Sequence, residues 1–287
     1  MSELPKISVV TPSFNSIHTI RETIESVRSQ NYPQVEHIVM DGGSTDGTLD
    51  LLKEYPHLIW VSEKDEGHYH AMNKGILRAT GAVVNILNAD DCHRPQTLRL
   101  VGEAFAQHPE WDALFGDVIY VDAENREIFR RAEAKYDYQV LRCSGVCYVQ
   151  HPTLFVRRAL HDRLGLYRHK EFKNCCDWAF ILAMGQAGCR VGHIPEYLIN
   201  YRYHQFGQSA DRRITANMRR EDAIIRQEHG IPGGVTGKTL RFLYRGKRQF
   251  QKLLYRGQMD CIPGTWKLRR HLQDKTTFSS NIGLDKL

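Results

Sequence analysis

The chain has 287 residues, of which 41% are apolar and 25% are charged, and its formal net charge is +6. This composition is typical of a globular protein with a buried core, and it excludes a largely disordered chain. No segment reaches the roughly 18 consecutive apolar residues of a membrane span, and residues 1–6 lack a signal-peptide pattern. We therefore expect a cytoplasmic protein, which could also lie peripherally on the inner face of the cell membrane.

Short apolar strands alternate with helical patterns in the first third of the chain. The strands are predicted at Ile7–Thr11, Val35–Met40, Leu58–Val61 and Ala82–Leu87. The segments between them carry apolar residues at helical spacing. This alternation favours an α/β fold built on a parallel, doubly wound sheet.

Polar side chains follow three of these strands, at Thr11, at Asp41 and at the adjacent pair Asp90 and Asp91. The carboxyl ends of parallel strands share one edge of a sheet, where open α/β sheets bind their ligands. Two neighbouring carboxylates repel each other unless a cation lies beside them, and oxygen ligands suit Mg²⁺ or Mn²⁺. The alternative is a solvated turn in which Asp91 caps the helix near Pro95.

Glycines follow the second strand in the stretch Asp41-Gly42-Gly43-Ser44, whereas no GxGxxG or GxxxxGK[ST] motif occurs. A carboxylate at Asp41 suits hydrogen bonds from a base edge or a ribose and would repel a phosphate. The same stretch is also typical of a tight turn with Ser44 or Asp46 as a helix cap, and both interpretations can hold.

The alternation of strands and helices ends after Pro95. A helix to about His108 precedes a predicted strand at 112–121, with residues 128–131 as an antiparallel partner, and another strand is predicted at 151–155. An apolar helix then begins near Asp177, which is either its N-cap or first-turn acid, favoured by the helix dipole, or a general base at the edge of a pocket. Residues 201–204 are predicted to form an aromatic, basic loop.

Basic residues are concentrated at the end of the chain, since residues 233–287 hold 12 Lys and Arg against 3 Asp. Between residues 238 and 256, apolar residues recur at near-helical spacing among these bases. A basic amphipathic helix favours contact with an anionic membrane surface. The alternative is a helix that packs on its own domain with a solvated basic face.

Five segments in a fixed order resemble family 2 glycosyltransferases, and they are Ile7–Asn15, Asp41–Thr48, Glu63–Gly75, Asn88–Asp91 and Asp177–Trp178. The resemblance covers roughly residues 6–209 and points to bacterial members that build surface polysaccharides. It implies a GT-A fold, Rossmann-like with a mixed central sheet. The nucleotide-binding part would cover about 1–110, the acceptor part about 111–210, and a helical, basic extension 211–287.

The resemblance also assigns roles by position. It implies nucleotide binding by Thr11, Pro12, Phe14, Asn15, Asp41, Gly42, Gly43, Glu63, Asp65, Gly67, Asn73, Lys74 and Asp90, with Asp41 on the uracil ring. It implies a Mn²⁺ or Mg²⁺ site at Asp90 and Asp91, with Asp91 as the main ligand and His204 as a further one. Asp177 would be the catalytic base, and His151 and Trp178 would contact the acceptor.

Two positions depart from the family pattern, because His70 and Asn88 stand where related sequences usually carry Asp. His70 puts local contacts to the nucleotide or sugar in doubt. Asn88 leaves the charge of the acidic motif to Asp90 and Asp91.

The predicted function is metal-dependent, inverting transfer of a sugar from a nucleotide sugar, with a UDP-sugar favoured. The acceptor would be a hydroxyl of a saccharide or lipid-linked molecule in surface polysaccharide biosynthesis. Such displacement needs a base for the acceptor hydroxyl and a cation for the leaving diphosphate. The alternatives are a nucleotidyltransferase, which lacks its Gly-rich loop here, and a non-enzymatic nucleic-acid- or membrane-binding protein that uses the basic tail. No nucleic-acid-binding motif is present, so we expect no nucleic acid partner.

Overall fold

A computed structural model of the chain describes residues 3–203, 212–257 and 259. Its strands are β1 (Ile7–Ser13), β2 (Val35–Asp41), β3 (Ile59–Ser62), β4 (Val83–Ile86), β5 (Cys92–His93), β6 (Ala113–Val121), β7 (Glu127–Arg131), β8 (Phe155–Arg157) and β9 (Val191–Arg202). Its helices are α1 (Ile20–Arg28), α2 (Thr48–Lys53), α3 (His68–Arg78), α4 (Thr97–Gln107), α5 (Tyr138–Ser144), α6 (Arg158–Leu164), α7 (Cys176–Gln186), α8 (Arg212–Glu228) and α9 (Gly234–Arg256), with a 3₁₀ turn at His151–Thr153.

The strands form one mixed sheet in the order β3-β2-β1-β4-β8-β6-β9-β5, with β7 paired to β6. Within its first half, β1 pairs in parallel with β2 and with β4, and β3 extends the sheet beyond β2. β1 is buried along its whole length, as a strand covered by helices on both faces should be. The predicted parallel half is confirmed.

The second half of the sheet is mixed, as predicted. β8 runs antiparallel to both β4 and β6, whereas β9 runs parallel to β6. β7 folds back on β6 through a turn in which Asn125 has a φ of +62°. Asn tolerates this left-handed conformation better than most residues, so the predicted hairpin forms here.

Two predictions for the second half are wrong. Residues 151–155 form a 3₁₀ turn and then enter β8, because Pro152 has no N–H to donate to a neighbouring strand. Tyr201 and Arg202 belong to the end of the long strand β9 and not to a loop. Their register beside Tyr120 and Val121 of β6 carries the sheet up to the acidic pair that follows β4.

Two helices follow the sheet. Ile225 of α8 is fully buried and joins the main apolar cluster, and α9 lies against α5. None of the described helices combines the length and the apolar character that a bilayer span requires. The helical extension is therefore present, and its boundary near residue 210 stays a prediction.

Candidate active site

The carboxyl ends of the first three strands stop level with one another. Ser13 at the end of β1 pairs with Asp41 of β2, and Asp41 pairs with Ser62 of β3. Because the strands are parallel, the loops that follow them lie side by side at one edge of the sheet. Several of the predicted nucleotide-binding residues lie on these loops.

Asp41 is buried at this edge, and donors of the protein surround its carboxylate. Oδ1 accepts from the backbone amides of Gly43 and Ser44, at 2.9 and 2.8 Å, and from the Ser62 hydroxyl at 2.7 Å. Oδ2 accepts from the hydroxyls of Ser44 and Ser13. These five donors fix the carboxylate within the loop. Asp41 thus shapes the loop, as the turn interpretation predicted, and its contact with the base stays a prediction.

Phe14, Gly42 and Asp65 form the open part of the same edge. The Phe14 side chain is 63% exposed. A Cβ atom at Gly42 would lie 2.6 Å from Asp65 Oδ2 and 3.3 Å from the Phe14 ring, so a larger residue would have to displace the Asp65 side chain. An exposed ring, an uncovered backbone and a carboxylate thus stand together, which suits stacking and edge hydrogen bonding to a nucleobase.

Thr11 and Pro12 near the end of β1 and Asn15 just after it contact the neighbouring strand and loop. Thr11 is fully buried, and its hydroxyl lies 2.9 Å from Nε2 of His37. Pro12 is also buried. Asn15 Oδ1 accepts from the amide of Thr45 at 2.9 Å, so its side chain holds the loop after β2. Thr11 and Pro12 thus support the loops, whereas Asn15 is exposed, and the nucleotide contacts of all three residues stay predictions.

The loop after β3 carries Asp65 and starts helix α3. Gly67 has a φ of +116° and donates its amide to Asp65 Oδ1 at 2.8 Å, which fixes the Asp65 carboxylate. Glu63 and Lys74 form an ion pair of 3.1 Å beside this loop, and Lys74 is largely buried. The two residues are thus brought together at the edge where they were predicted.

Asn73 lies in the interior and not on the nucleotide side. Its amide nitrogen donates to the Tyr167 carbonyl at 2.7 Å, and its amide oxygen accepts from the Tyr167 amide at 2.9 Å. The nucleotide contact of Asn73 stays a prediction, and these bonds do not favour it. The residue instead ties α3 to the second half of the chain.

The acidic pair after β4 divides into a buried and a partly exposed carboxylate. Asp91 is 1% exposed, and its two oxygens accept from the Arg202 amide at 3.0 Å and from the Asn88 side chain at 2.9 Å. Burial raises the pKa of Asp91 well above its usual value, and the neighbouring charge of Asp90 raises it further. Asp90 is partly exposed, so it is the member of the pair that an incoming ligand can reach.

The alternative interpretation of Asp91 as a helix cap is wrong. Helix α4 begins at Thr97, its N-cap residue is Gln96, and no side chain caps it. The backbone of the acidic turn is instead held by other donors: the Thr23 hydroxyl donates to the Asp91 carbonyl at 2.9 Å. Two carboxylates that no helix terminus explains fit an oxygen-ligand site for a hard divalent cation.

Asp177 lies in the first turn of α7, whose N-cap residue is Cys175 and which has no side-chain cap. Its Oδ1 accepts the Tyr69 hydroxyl at 2.8 Å, and Tyr69 comes from α3 of the first half. Asp177 is partly exposed, so a base function is open to it. Asp177 is therefore not the N-cap, whereas the alternative that it is a first-turn acid favoured by the helix dipole is confirmed.

Two histidines face the same carboxylate. Burial lowers the pKa of His68 to about 4, and the charges of Asp177 and Asp65 oppose this shift. Burial also lowers the pKa of His151, again against Asp177. His68 thus lies within electrostatic reach of Asp65 in the first half of the chain and of Asp177 in the second half. The structure brings the predicted acceptor residue His151 to the predicted base.

Trp178 is buried directly after Asp177, and its indole nitrogen has no hydrogen-bond partner among the described residues. A buried N–H without a partner is costly unless a ligand or water satisfies it. This observation agrees with the predicted acceptor contact, which stays a prediction. The predicted metal ligand His204 lies outside the described residues.

Sequence reasoning missed His68, Tyr69 and Arg202 as site residues. Arg202 donates its amide to Asp91 and its Nε to the Asp90 carbonyl at 3.0 Å. His68 and Tyr69 begin α3, and the positive φ that places them was signalled only by Gly67. The partner of Tyr69 is 108 positions away, and no local pattern indicates such a pairing.

The unusual His70 stacks on His169, with ring centroids 4.7 Å apart and planes only 4° from parallel. Together with Glu66 these side chains bring ligand atoms within 4.8 Å of one another. The lone pairs of an imidazole lie in its ring plane, so two parallel stacked rings do not aim at one ion. Their Nδ1 atoms already face the Glu66 amide and the Asn73 side chain. The stack therefore does not form a metal centre in this arrangement.

Comparison with known sequences places these features in context. The family model described as "Glycosyl transferase family 2" matches residues 8–165. A PGL/p-HBAD biosynthesis glycosyltransferase of Mycobacterium tuberculosis is 31% identical over 182 residues, which are 61% of this chain and 68% of that protein. A putative teichuronic acid biosynthesis glycosyltransferase, TuaG of Bacillus subtilis, is 40% identical over 93 residues, or 30% of this chain and 36% of that protein.

Solved structures share the fold. TarS of S. aureus in complex with UDP-GlcNAc superposes with a TM-score of 0.58 at 21% identity, over 75% of this chain and 64% of that chain. The mannosyltransferase PcManGT of Pyrobaculum calidifontis, in complex with GDP-Man and Mn²⁺, gives 0.58 at 21% identity, over 87% of this chain and 72% of that chain. The chain thus spans less than two thirds of TarS, and the predicted GT-A architecture is confirmed.

Proposed function

Because this chain belongs to glycosyl transferase family 2, and is therefore a glycosyltransferase, we propose that it transfers a sugar from a UDP-sugar to a hydroxyl of a saccharide or lipid-linked acceptor. Surface polysaccharide biosynthesis is the proposed setting, in line with the name of the B. subtilis relative. Neither the nucleotidyltransferase nor the nucleic-acid alternative is retained, since family membership accounts for the acidic pair and the acid at α7 together.

The observation that carries the proposal is the connection between the two halves at Asp177. Tyr69 of α3 donates to Asp177, and His68 beside it senses the charges of both Asp65 and Asp177. The loop that presents Asp65 to the open edge thus leads directly to the residue that holds the proposed base. A nucleotide at the edge and an acceptor at Asp177 would share one site.

The nucleobase would stack on Phe14 and form hydrogen bonds with the Gly42 backbone and the Asp65 carboxylate. We thus propose Asp65 in place of Asp41, whose two carboxylate oxygens already accept hydrogen bonds from the protein. Asp65 Oδ2 lies 2.6 Å from the position that a Cβ atom on Gly42 would take. Stacking on an aromatic ring is worth about 1–3 kcal/mol per base. Most of the nucleotide selectivity would then come from the Gly42–Asp65 edge.

The residues of the acidic turn fit a divalent cation, because burial and mutual repulsion disfavour two charged carboxylates without one. We assign Asp90, the reachable member of the pair, as the direct ligand of Mn²⁺ or Mg²⁺ and Asp91 as its support. This reverses the order predicted from the sequence. A bound cation supplies charge stabilisation to the leaving diphosphate.

In the proposed reaction Asp177 takes the proton of the acceptor hydroxyl as that oxygen attacks the anomeric carbon. The bond from the anomeric carbon to the β-phosphate oxygen breaks, and its electron pair leaves with the nucleoside diphosphate. One direct displacement inverts the anomeric configuration. The Tyr69 hydroxyl orients the carboxylate so that its second oxygen remains for the acceptor.

A panel of nucleotide sugars tests the proposal. The protein would be incubated with UDP-, GDP- and dTDP-sugars and Mn²⁺, and slow hydrolysis and thermal stabilisation would be measured. UDP-sugars should give the largest stabilisation and the only turnover. Preference for another nucleotide would remove the UDP assignment, and no response to any nucleotide sugar would remove the function itself.

A further inference from the structure

Helix α9 packs with its charged face inward. The side chains of Arg248 and Lys252 are buried, at 6% and 1% exposure. Large apolar side chains of the same helix and the residues beside it point to solvent, and they are Val235, Phe242, Leu243, Phe250, Leu253 and Leu254, each between 42% and 81% exposed. This is the reverse of an ordinary surface helix, whose apolar stripe faces the core.

Ion pairs hold the helix in this orientation. Arg248 lies against the buried Glu133 carboxylate, which it contacts through both oxygens. One turn or two further on, Arg256 lies 2.7 Å from Asp117, whose side chain is fully buried. Rolling the helix to bury its apolar stripe would take Arg248 from Glu133 and Arg256 from Asp117. The two buried acids would keep Arg131 and His193 beside them, but they would each lose a buried ion pair, which is unfavourable. The outward direction of the stripe is therefore built into the fold.

The exposed apolar residues form one continuous stripe. Val235, Phe242 and Leu253 follow one another at spacings of seven and eleven residues, and Leu243, Phe250 and Leu254 form a parallel row. Both sets of spacings return to the same side of an α-helix. A contiguous exposed patch of this kind marks an interaction surface, whereas scattered single residues would not.

The charge of the helix identifies what the stripe can contact. Residues 234–256 contain seven Lys and Arg and no acidic residue. The exposed bases Lys238 and Arg245 lie along one border of the stripe, where Arg245 also donates its Nε to the Ser144 carbonyl. Lys247 lies along the other border, half exposed and paired with Asp137 at 2.8 Å. A second copy of the helix would bring like charges together, whereas an anionic lipid surface would receive both the apolar stripe and its basic borders.

We propose that α9 lies flat on an anionic membrane surface, with Phe242, Phe250 and Leu254 inserted among the acyl chains and the flanking bases at the lipid headgroups. The sequence predicted a basic amphipathic helix that either contacts an anionic membrane or packs on its own domain with a solvated basic face. In the structure α9 packs on its own domain with Arg248 and Lys252 buried, which leaves the apolar face for the membrane. The membrane contact itself does not rest on sugar transfer. Its use in bringing the enzyme to a lipid-linked acceptor does rest on the proposed function.

Vesicle sedimentation of the full chain tests the proposal, with phosphatidylcholine vesicles with and without phosphatidylglycerol, at low and high salt. We expect binding that needs phosphatidylglycerol and weakens with salt. The double substitution Phe242→Ser with Leu254→Ser should lower the partition coefficient about tenfold or more, since it removes two inserted side chains. Leu77→Ser is the matched control, because Leu77 is an apolar residue of α3 with 72% exposure, and it should leave binding unchanged.

Hydrolysis of the UDP-sugar by each variant is measured in parallel. Loss of vesicle binding with unchanged hydrolysis supports the membrane contact, and it stays informative even if acceptor transfer is never observed. Loss of both would indicate misfolding, in which case the milder single substitution Phe242→Ser decides by the same criterion. Unchanged vesicle binding in a folded variant, or no binding to any vesicle, would overturn the proposal. The proposal would also be overturned if the full chain bound no vesicles and formed a dimer that the double substitution dissociates.

Discussion

Asp177→Asn separates the proposed base from the rest of the site. The asparagine oxygen can still accept the Tyr69 hydroxyl, so the contact between α3 and α7 remains. A hydrogen bond to a charged acceptor exceeds one to a neutral acceptor by about 1 kcal/mol. The loss of a first-turn charge in α7 costs about 0.3–1 kcal/mol. We therefore expect the free energy of unfolding to fall by only about 1–2 kcal/mol.

The effect on catalysis should be much larger. A positioned general base contributes about 10²–10⁴-fold to the rate, which corresponds to about 3–5 kcal/mol of activation free energy. Transfer would be followed by release of the nucleoside diphosphate, and binding of the UDP-sugar by calorimetry with Mn²⁺. The kcat should fall by at least about a hundredfold, while the dissociation constant of the donor changes less than about threefold.

Tyr69→Phe is the matched control for this prediction. It deletes the hydroxyl that orients the carboxylate and leaves the base itself in place. We expect kcat to fall about tenfold or less, since orientation suffers and proton transfer remains possible. If Asp177→Asn weakened donor binding and transfer equally, or retained most of the activity, the assignment of Asp177 as base would be refuted.

Three further predictions follow from the geometry. Phe14→Ala should weaken UDP binding by about 1–3 kcal/mol through lost stacking without affecting the melting temperature, and unchanged calorimetric binding would refute the pocket; Leu77→Ala, at a similarly exposed site, is the control. Asp90→Asn should abolish the thermal stabilisation that Mn²⁺ adds to UDP, and a full Mn²⁺ effect in this variant would move the metal elsewhere. Burial lowers the pKa of His37 to about 3, so only the unfolded state takes up a proton on this histidine as the pH falls through the unfolded pKa of about 6.5. The free energy of unfolding should therefore be about 2 kcal/mol smaller at pH 5 than at pH 8. Urea denaturation of His37→Gln at pH 8 and pH 5 should show a correspondingly smaller loss, whereas substitution of the exposed His18 should not.

The sequence predicted the parallel half of the sheet well because its signals are local. Strands such as Ile7–Thr11 are short apolar runs that end at turn residues, and the structure extends this one only to Ser13. The common edge at their carboxyl ends followed from the parallel sheet that such repeats form. The long strand β9 was missed, because its buried and exposed residues do not alternate regularly.

The site was harder to predict than the fold, since the role of a carboxylate depends on what surrounds it. Asp41 and Asp65 look alike in the sequence, yet donors of the protein surround Asp41 on both oxygens. Likewise Asp90 and Asp91 are neighbours, and Asp91 is the one that is buried and accepts from the Asn88 side chain and from the backbone of the distant Arg202. Patterns along the chain identified the acids, and tertiary contacts divide them into structural and exposed ones.

Helix α3 has a consequence for building hybrid enzymes. Tyr69 and Asn73, one turn apart, donate hydrogen bonds to Asp177 and Tyr167 in the other half of the chain. A chimera joined near residue 110, the predicted end of the nucleotide-binding part, would pair this helix with a foreign segment and lose both contacts. A graft that aims to exchange acceptors should therefore carry residues 67–75 together with residues 167–178, so that the recombined protein keeps the hydrogen bonds between α3 and the segment that holds the proposed catalytic base.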